Sequence, residues 1–193
     1  MQENLLGLLS RNVTRLRRIL DDLLTLSALE GANVRLDRDQ LDLGVLVTRV
    51  IEDLRPSAIA AGVEISAEVR GDVVAWVDEG RLRQVLENLL QNAIKFSPAG
   101  SAVMVTVASP SPAEVLIAVV DRGPGIPAHE IARVFERFYR SSVAPRTAQG
   151  TGLGLPIARM IVELHGGRIW LESDGRSGTS AYISLPKRPP PVP

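Results

Sequence analysis

The chain has 193 residues, 45% hydrophobic and 23% charged, a balance that fits a folded globular protein and excludes a disordered one. Its 22 basic and 22 acidic residues cancel, so neither a nucleic-acid surface nor a polybasic membrane patch is expected. Without cysteine there are no disulfides or thiolate chemistry, and the two histidines, His129 and His165, cannot form a histidine-rich metal site.

Residues 4–29 read as one long helix. Leu6, Leu9, Val13, Leu16, Leu20, Leu23 and Ser27 alternate three and four apart, which is a heptad seam. Leu5, Ile19 and Leu26 widen the stripe toward that of a helical bundle, and an intermolecular pairing is expected of it. Gly31 suits a helix C-cap, and a short strand is expected at 34–36. A helix over 44–60 runs to Gly62 with Pro56 inside it, and Val63 to Val69 alternates as a half-buried strand does.

Residues 79–95 form a strong helix, with Leu82, Val85, Leu86, Leu89, Leu90 and Ala93 at helical spacing. Strands 102–108 and 114–120 pair as a hairpin across Ser109–Pro112. A short helix fits 128–135, an irregular loop 141–149, and a second helix 154–165, ending at Gly166-Gly167. Strands at 168–173 and 179–185 flank a turn, and Lys187–Pro193 reads as a proline-rich, poorly ordered tail. The order of elements predicts an α+β fold, a two-layer sandwich of a mixed sheet with helices on one side. The expected division is 1–30, 31–186 and 187–193.

Asn88 and Asn92 lie i, i+4 on one face of the 79–95 helix, with Lys95 close behind. An amide oxygen suits Mg²⁺ and an ammonium neutralises phosphate. Taken alone, the two asparagines read more readily as decoration of a solvated face, yet Asn is a mediocre helix former and two in so good a helix call for a reason. Asp121 follows the apolar run Val115–Val120, where a carboxylate can accept from the exocyclic amine of adenine, and Gly123 and Gly125 let backbone approach a flat base. An ordinary strand-exit turn would use the same residue types. Gly150-Thr-Gly-Leu-Gly-Leu155 opens a helix, with Pro156 in its first turn, and bare N–H groups there make a phosphate site. Between the glycine loops, Phe135, Phe138 and Tyr139 can anchor the segment while Arg137 and Arg140 reach phosphates. His165 ends its helix, where the dipole favours a cation, and reads as structural; His129 reads as a surface residue.

Together Asn88–Phe96, Asp121–Pro127, Phe135–Tyr139 and Gly150–Leu155 resemble, in order and spacing, the catalytic and ATP-binding domain of sensor histidine kinases, within the GHKL ATPase superfamily. The resemblance covers about residues 34–186 and implies a Bergerat fold with a lid from about 127 to 150. It implies that ATP contacts Asn88, Asn92, Lys95, Phe96, Asp121, Gly123, Gly125, Ile126, Tyr139, Gly150, Thr151, Gly152, Leu153, Gly154, Leu155 and Thr179. Asn92 would hold Mg²⁺, Asp121 would read adenine beside Thr179, and Asn88, Lys95 and Arg140 would carry the catalytic contacts to phosphate.

Superfamily members that hydrolyse ATP usually carry a Glu where Asn88 stands, so the resemblance favours a kinase over a hydrolase; a non-catalytic nucleotide-binding interaction module is the other alternative. Residues 4–29 resemble the second helix of the dimerisation and phosphotransfer hairpin, without the helix that bears the phosphoacceptor. The acceptor histidine is therefore expected from a segment outside this chain or from another chain. A response regulator and a homodimer in the full-length protein are implied partners. No run of about 18 apolar residues spans a bilayer, and Met1–Asn4 lacks the basic start of a signal peptide. A cytoplasmic setting is expected, free or at the cytoplasmic end of a membrane-anchored sensor.

Overall fold

The computed structural model describes residues 2–31, 35–143 and 150–188. Helix α1 (Gln2–Glu30) leads into β1 (Asp39–Asp42), α2 (Leu43–Ala61), β2 (Glu64–Arg70) and β3 (Val74–Val77). Then come α3 (Glu79–Phe96), β4 (Ala102–Ser111), β5 (Glu114–Val120), the single turn α4 (Ala128–Ile131), α5 (Gly154–Leu164), β6 (Arg168–Glu172) and β7 (Ser180–Pro186). A five-stranded sheet runs in the order β2-β4-β5-β7-β6. Strands β2 and β4 are parallel and the other pairs antiparallel, so the sheet is mixed.

Alternation along the strands builds the sandwich. Val103, Val105 and Val107 on β4, Val115, Ile117 and Val119 on β5, and Ile183 and Leu185 on β7 are buried. They meet α2, α3 and α5, whose apolar faces (Leu46 and Val50, Leu82 and Leu86, Ile157 and Ile161) are buried too. Caps fix the helix starts. Asp42 Oδ1 accepts from Gly44 N at 2.8 Å and Val45 N at 3.1 Å, and Asp78 Oδ1 accepts from Arg81 N at 3.0 Å. Helix α2 passes through Pro56 and stops at Gly62, at φ 68°.

The structure departs from sequence expectation in several places. The first strand is Asp39–Asp42, while 35–38 have no regular structure and 34 lies outside the described residues. It pairs with Val74–Val77, a segment for which no strand was expected. Neither four-residue segment has enough pattern to declare itself; their mutual pairing makes them strands. The helix expected over 128–135 splits into α4 and a 3-10 turn at Arg133–Phe135. Strand β4 extends to Ser111 across a register shift between Ala108 and Ser111, where Pro110 cannot donate to the ladder. Most of the loop expected at 141–149 lies outside the described residues, as do 189–193 of the tail. Lys187, expected in that tail, is tied to the domain: its N bonds Ala113 O at 2.9 Å and its Nζ bonds Asp72 at 2.8 Å.

Helix α1 packs on α5 through its C-terminal end, where Leu26 and Leu29 are buried. The seam residues Val13, Leu16, Leu20 and Leu23 remain exposed. The helix thus uses two faces, one for its own domain and one left apolar in solvent.

His165 is 2% exposed and is not the cation its place at a helix end suggested. Its Nδ1 donates to Ile161 O at 2.7 Å and its Nε2 accepts from Asp78 N at 3.0 Å, which defines a neutral ring. Arg38 supplies the charge at that end, with Nη2 bonding Leu164 O at 2.7 Å. Burial pushes the His165 pKa below its ordinary 6.5, reinforced by Arg38. The unfolded chain therefore takes up a proton that the folded chain refuses, so stability is full above 6.5 and falls as pH drops toward the folded value. Urea midpoints should decline between about pH 7.5 and about pH 5.5, and less so in His165→Gln. Equal declines in both proteins would count against this role.

Candidate functional site

A cleft opens between α3, the end of β5, the segment after α4, the start of α5 and the β6–β7 edge. Its walls bring together Asn88, Asn92, Lys95, Phe96, Asp121, Gly125, Ile126, Tyr139, Arg140, Gly150, Thr151, Gly152, Gly154, Leu155 and Thr179. Of the residues read from sequence, Gly123 and Leu153 do not line it. Gly123 supports Asp121 from behind, and Leu153 is fully buried in the core.

One end of the cleft suits a flat base. Val119, Leu171 and Ala181 form apolar walls, and Asp121 supplies one polar group. Asp121 Oδ1 accepts from Gly123 N at 2.7 Å and Thr179 N at 3.2 Å, while Asp121 N donates to Thr179 O at 2.9 Å. Oδ2 carries no hydrogen bond to another described residue and is the acceptor left for a ligand. Burial raises the Asp121 pKa, and the two N–H bonds oppose that rise.

The turn after β6 braces this end. Ser173 Oγ accepts from Ile126 N at 2.9 Å and donates to Gly178 O at 2.6 Å, locking the first glycine loop to Gly178-Thr179. At Gly125, φ 77°, an added Cβ would lie 2.7 Å from Arg176 N, so the two loops touch through backbone. Ser173 was missed in the sequence; nothing local separates it from any turn serine.

The other end suits an anion. A Cβ on Gly154 would lie 2.9 Å from Asn88 Oδ1, and one on Gly150 would lie 3.2 Å from Lys95 Nζ. These bare positions bring the start of α5 against the polar face of α3, so amide, ammonium and helix N–H groups share one space. Lys95 Nζ also sits 4.8 Å from the centre of the Phe96 ring. Thr151 Oγ1 accepts from Leu153 N at 3.2 Å and donates to Asp22 Oδ2 at 2.8 Å, which brings α1 to the cleft wall. Asp22 was read only as part of the bundle helix.

The aromatic segment differs from expectation. Phe135 and Tyr139 pack on the core, with Arg133 4.4 Å from the Tyr139 ring centre, but Phe138 is exposed at φ 62° and anchors nothing with its ring. Its N donates to Gly152 O at 2.9 Å, so backbone does the anchoring. Arg140 lines the cleft, whereas Arg137 pairs with Glu30 at the end of α1. Glu130, which the sequence did not single out, bonds Ser141 and Ser142.

Among the described residues no group of three His, Cys, Asp or Glu could hold a metal ion. The donor set fits a metal that arrives with its ligand. Asn92 offers one amide oxygen, and Mg²⁺ typically takes its remaining ligands from phosphates and water.

A two-layer sandwich whose cleft has an acceptor and apolar walls at one end and bare glycine N–H groups at the other defines a Bergerat-type nucleotide-binding protein. The family model described as histidine kinase-, DNA gyrase B- and HSP90-like ATPase matches residues 77–189. The chain belongs to that family. Sensor histidine kinase WalK of Bacillus subtilis (strain 168) is 34% identical over 174 residues, which are 89% of this chain and 28% of WalK. Full-length ShkA in complex with AMPPNP superposes at a TM-score of 0.83 with 29% identity, over 99% of this chain and 40% of that one. Histidine kinase ThkA, in complex with response regulator protein TrrA, gives 0.77 and 26% identity over 95% of this chain and 50% of that one. The chain spans half or less of the length of the curated sensor kinases it matches.

Proposed function

We propose that this chain is the ATP-binding catalytic region of a two-component sensor histidine kinase, transferring the γ-phosphate of ATP to a histidine on a segment outside it. The observation that carries this reading is the cleft itself: a base end built on Asp121 and an anion end built on Asn88, Lys95 and Gly150–Leu155. Asp22 and Asp121 are its lining carboxylates among the described residues, and Glu87 is absent from it, so no general base faces the anion end from α3. That favours transfer to a bound nucleophile over hydrolysis.

In this reading Asp121 Oδ2 accepts from the adenine amine and Thr179 steadies the carboxylate. Asn88, Lys95 and the α5 N–H groups hold the phosphates, and Arg140 meets the γ-phosphate. Asn92 would hold Mg²⁺, which neutralises developing charge when bound. An imidazole nitrogen forms a bond to the γ-phosphorus as the bond to the β–γ bridging oxygen breaks; ADP leaves and the imidazole proton passes to solvent. The chain contributes positioning and charge neutralisation.

The exposed seam of α1 fits the phosphoacceptor helix of a hairpin and a homodimer in the complete protein. The same seam supports a second reading, a nucleotide-binding module that pairs without transferring phosphate. A response regulator as downstream partner follows from the kinase reading. No described helix is long and apolar enough to cross a membrane, which is compatible with a cytoplasmic setting.

The test mixes the chain with a histidine-bearing hairpin, Mg²⁺ and γ-labelled ATP. Acid-labile label on the hairpin histidine is the expected result. Tight ATP binding without transfer would favour the pairing module, and no binding at millimolar ATP would sink both. In Asn92→Ala, transfer should slow about tenfold, because a water replaces one of several Mg²⁺ ligands. Unchanged Mg²⁺ dependence would remove Asn92 from the metal site.

A further inference from the structure

Glu130 is a buried carboxylate, 4% exposed on the one-turn helix α4. His129 Nε2 lies 3.8 Å from it, on an 80% exposed side chain. Among the described residues its hydrogen bonds come from one short segment. Oε2 accepts from the Ser141 hydroxyl, Oε1 from the Ser142 hydroxyl, and both from Ser142 N at 3.3 and 3.1 Å. The Tyr139 hydroxyl adds a further bond. With the Ser141 and Ser142 contacts the strongest, these bonds draw the carboxyl down to about 2. A buried carboxylate is tolerated only when its lone pairs are filled, and here three residues of one strap fill them.

The strap has work on its other side. Tyr139, Arg140 and Ser141 line the cleft, and Phe138 N, at the strap's start, holds Gly152 O of the second glycine loop. We propose that Glu130 is a positioning residue for the cleft: by clamping Tyr139–Ser142 it sets Tyr139 and Arg140 on the wall beside Gly152. The inference rests on reading the cleft as an ATP site. The base end is built independently, from β5, β7 and the Ser173 turn, so Glu130 acts on the phosphates and leaves the adenine contacts alone.

The test is calorimetric titration of the full chain with ATP and with adenosine. Glu130→Gln keeps the shape but presents an amide donor to hydroxyls and an N–H that need acceptors. ATP should bind it about tenfold more weakly, with adenosine within about twofold of wild type. Glu130→Asp, still a carboxylate, should recover part of the loss. Ser141→Ala/Ser142→Ala should weaken ATP in the same way, and adding it to Glu130→Gln should cost little more. Equal loss of ATP and adenosine, additive effects of the serine and glutamate changes, or wild-type ATP affinity in Glu130→Gln would each overturn the positioning role. A wild-type chain that binds no ATP would overturn the cleft reading and this inference with it.

Discussion

Asp121→Asn is expected to bind ATP about a hundredfold more weakly while keeping its fold, a loss of about 2.7 kcal/mol. The two halves of that statement come from the two oxygens of one carboxylate. Oδ1 is occupied by Gly123 N and Thr179 N, and an asparagine carbonyl oxygen serves both. The turn that joins β5 to the first glycine loop therefore survives. Oδ2 becomes an NH₂ donor, and it would face the amine of adenine, which is also a donor. Guanine presents a carbonyl in place of that amine. The same substitution should thus leave GTP no weaker, or bind it more tightly, while ATP falls away. Competition of ATP and GTP against a fluorescent nucleotide measures both, and unchanged melting checks the fold. Equal ATP affinity in wild type and mutant would remove Asp121 from base recognition.

The parts of this cleft that were legible in the sequence are those carried by local pattern. Asn88 and Asn92 stand out because α3 is otherwise apolar on one face and helix-favouring throughout, so two amides on the other face mark it. The glycines of 150–154 stand out because three alternate immediately before a helix. Ser173 and Glu130 carry no such mark, because their roles depend on partners that the fold supplies. Ser173 meets Ile126, 47 positions away, and Glu130 meets Ser142 across a segment with no regular pattern. Strand β1 was expected a few residues early, at 34–36, and β3 was missed, for a related reason: Asp39–Asp42 is polar and short, and becomes a strand only against Val74–Val77. His165 shows the converse error. Its helix-end position was read correctly, but its charge state depends on Asp78 N and on burial, neither of which is visible in the sequence.

Gly152→Ala should damage stability and binding together, because Gly152 is where the strap and the second glycine loop meet. Its φ of 73° already disfavours an L side chain. A Cβ there would also lie 2.7 Å from the backbone of Phe138 and 2.9 Å from Tyr139 O. Backbone cannot rotate aside as a long side chain does, and Phe138 is itself held at φ 62° by its bond to Gly152 O. Relief requires the strap to lift, which breaks that bond and draws Tyr139 and Arg140 from the cleft. The expected cost is about 3 kcal/mol of folding free energy, or about 6–12 °C in Tm. ATP affinity should fall at least about tenfold. Gly150→Ala is the informative control, since among the described residues its Cβ would meet the end of the long Lys95 side chain, at 3.2 Å, and φ there is not positive. It should melt close to wild type. If Gly152→Ala also melted like wild type, the strap would not be seated on the glycine loop, and the clamp at Glu130 would have nothing to hold it against.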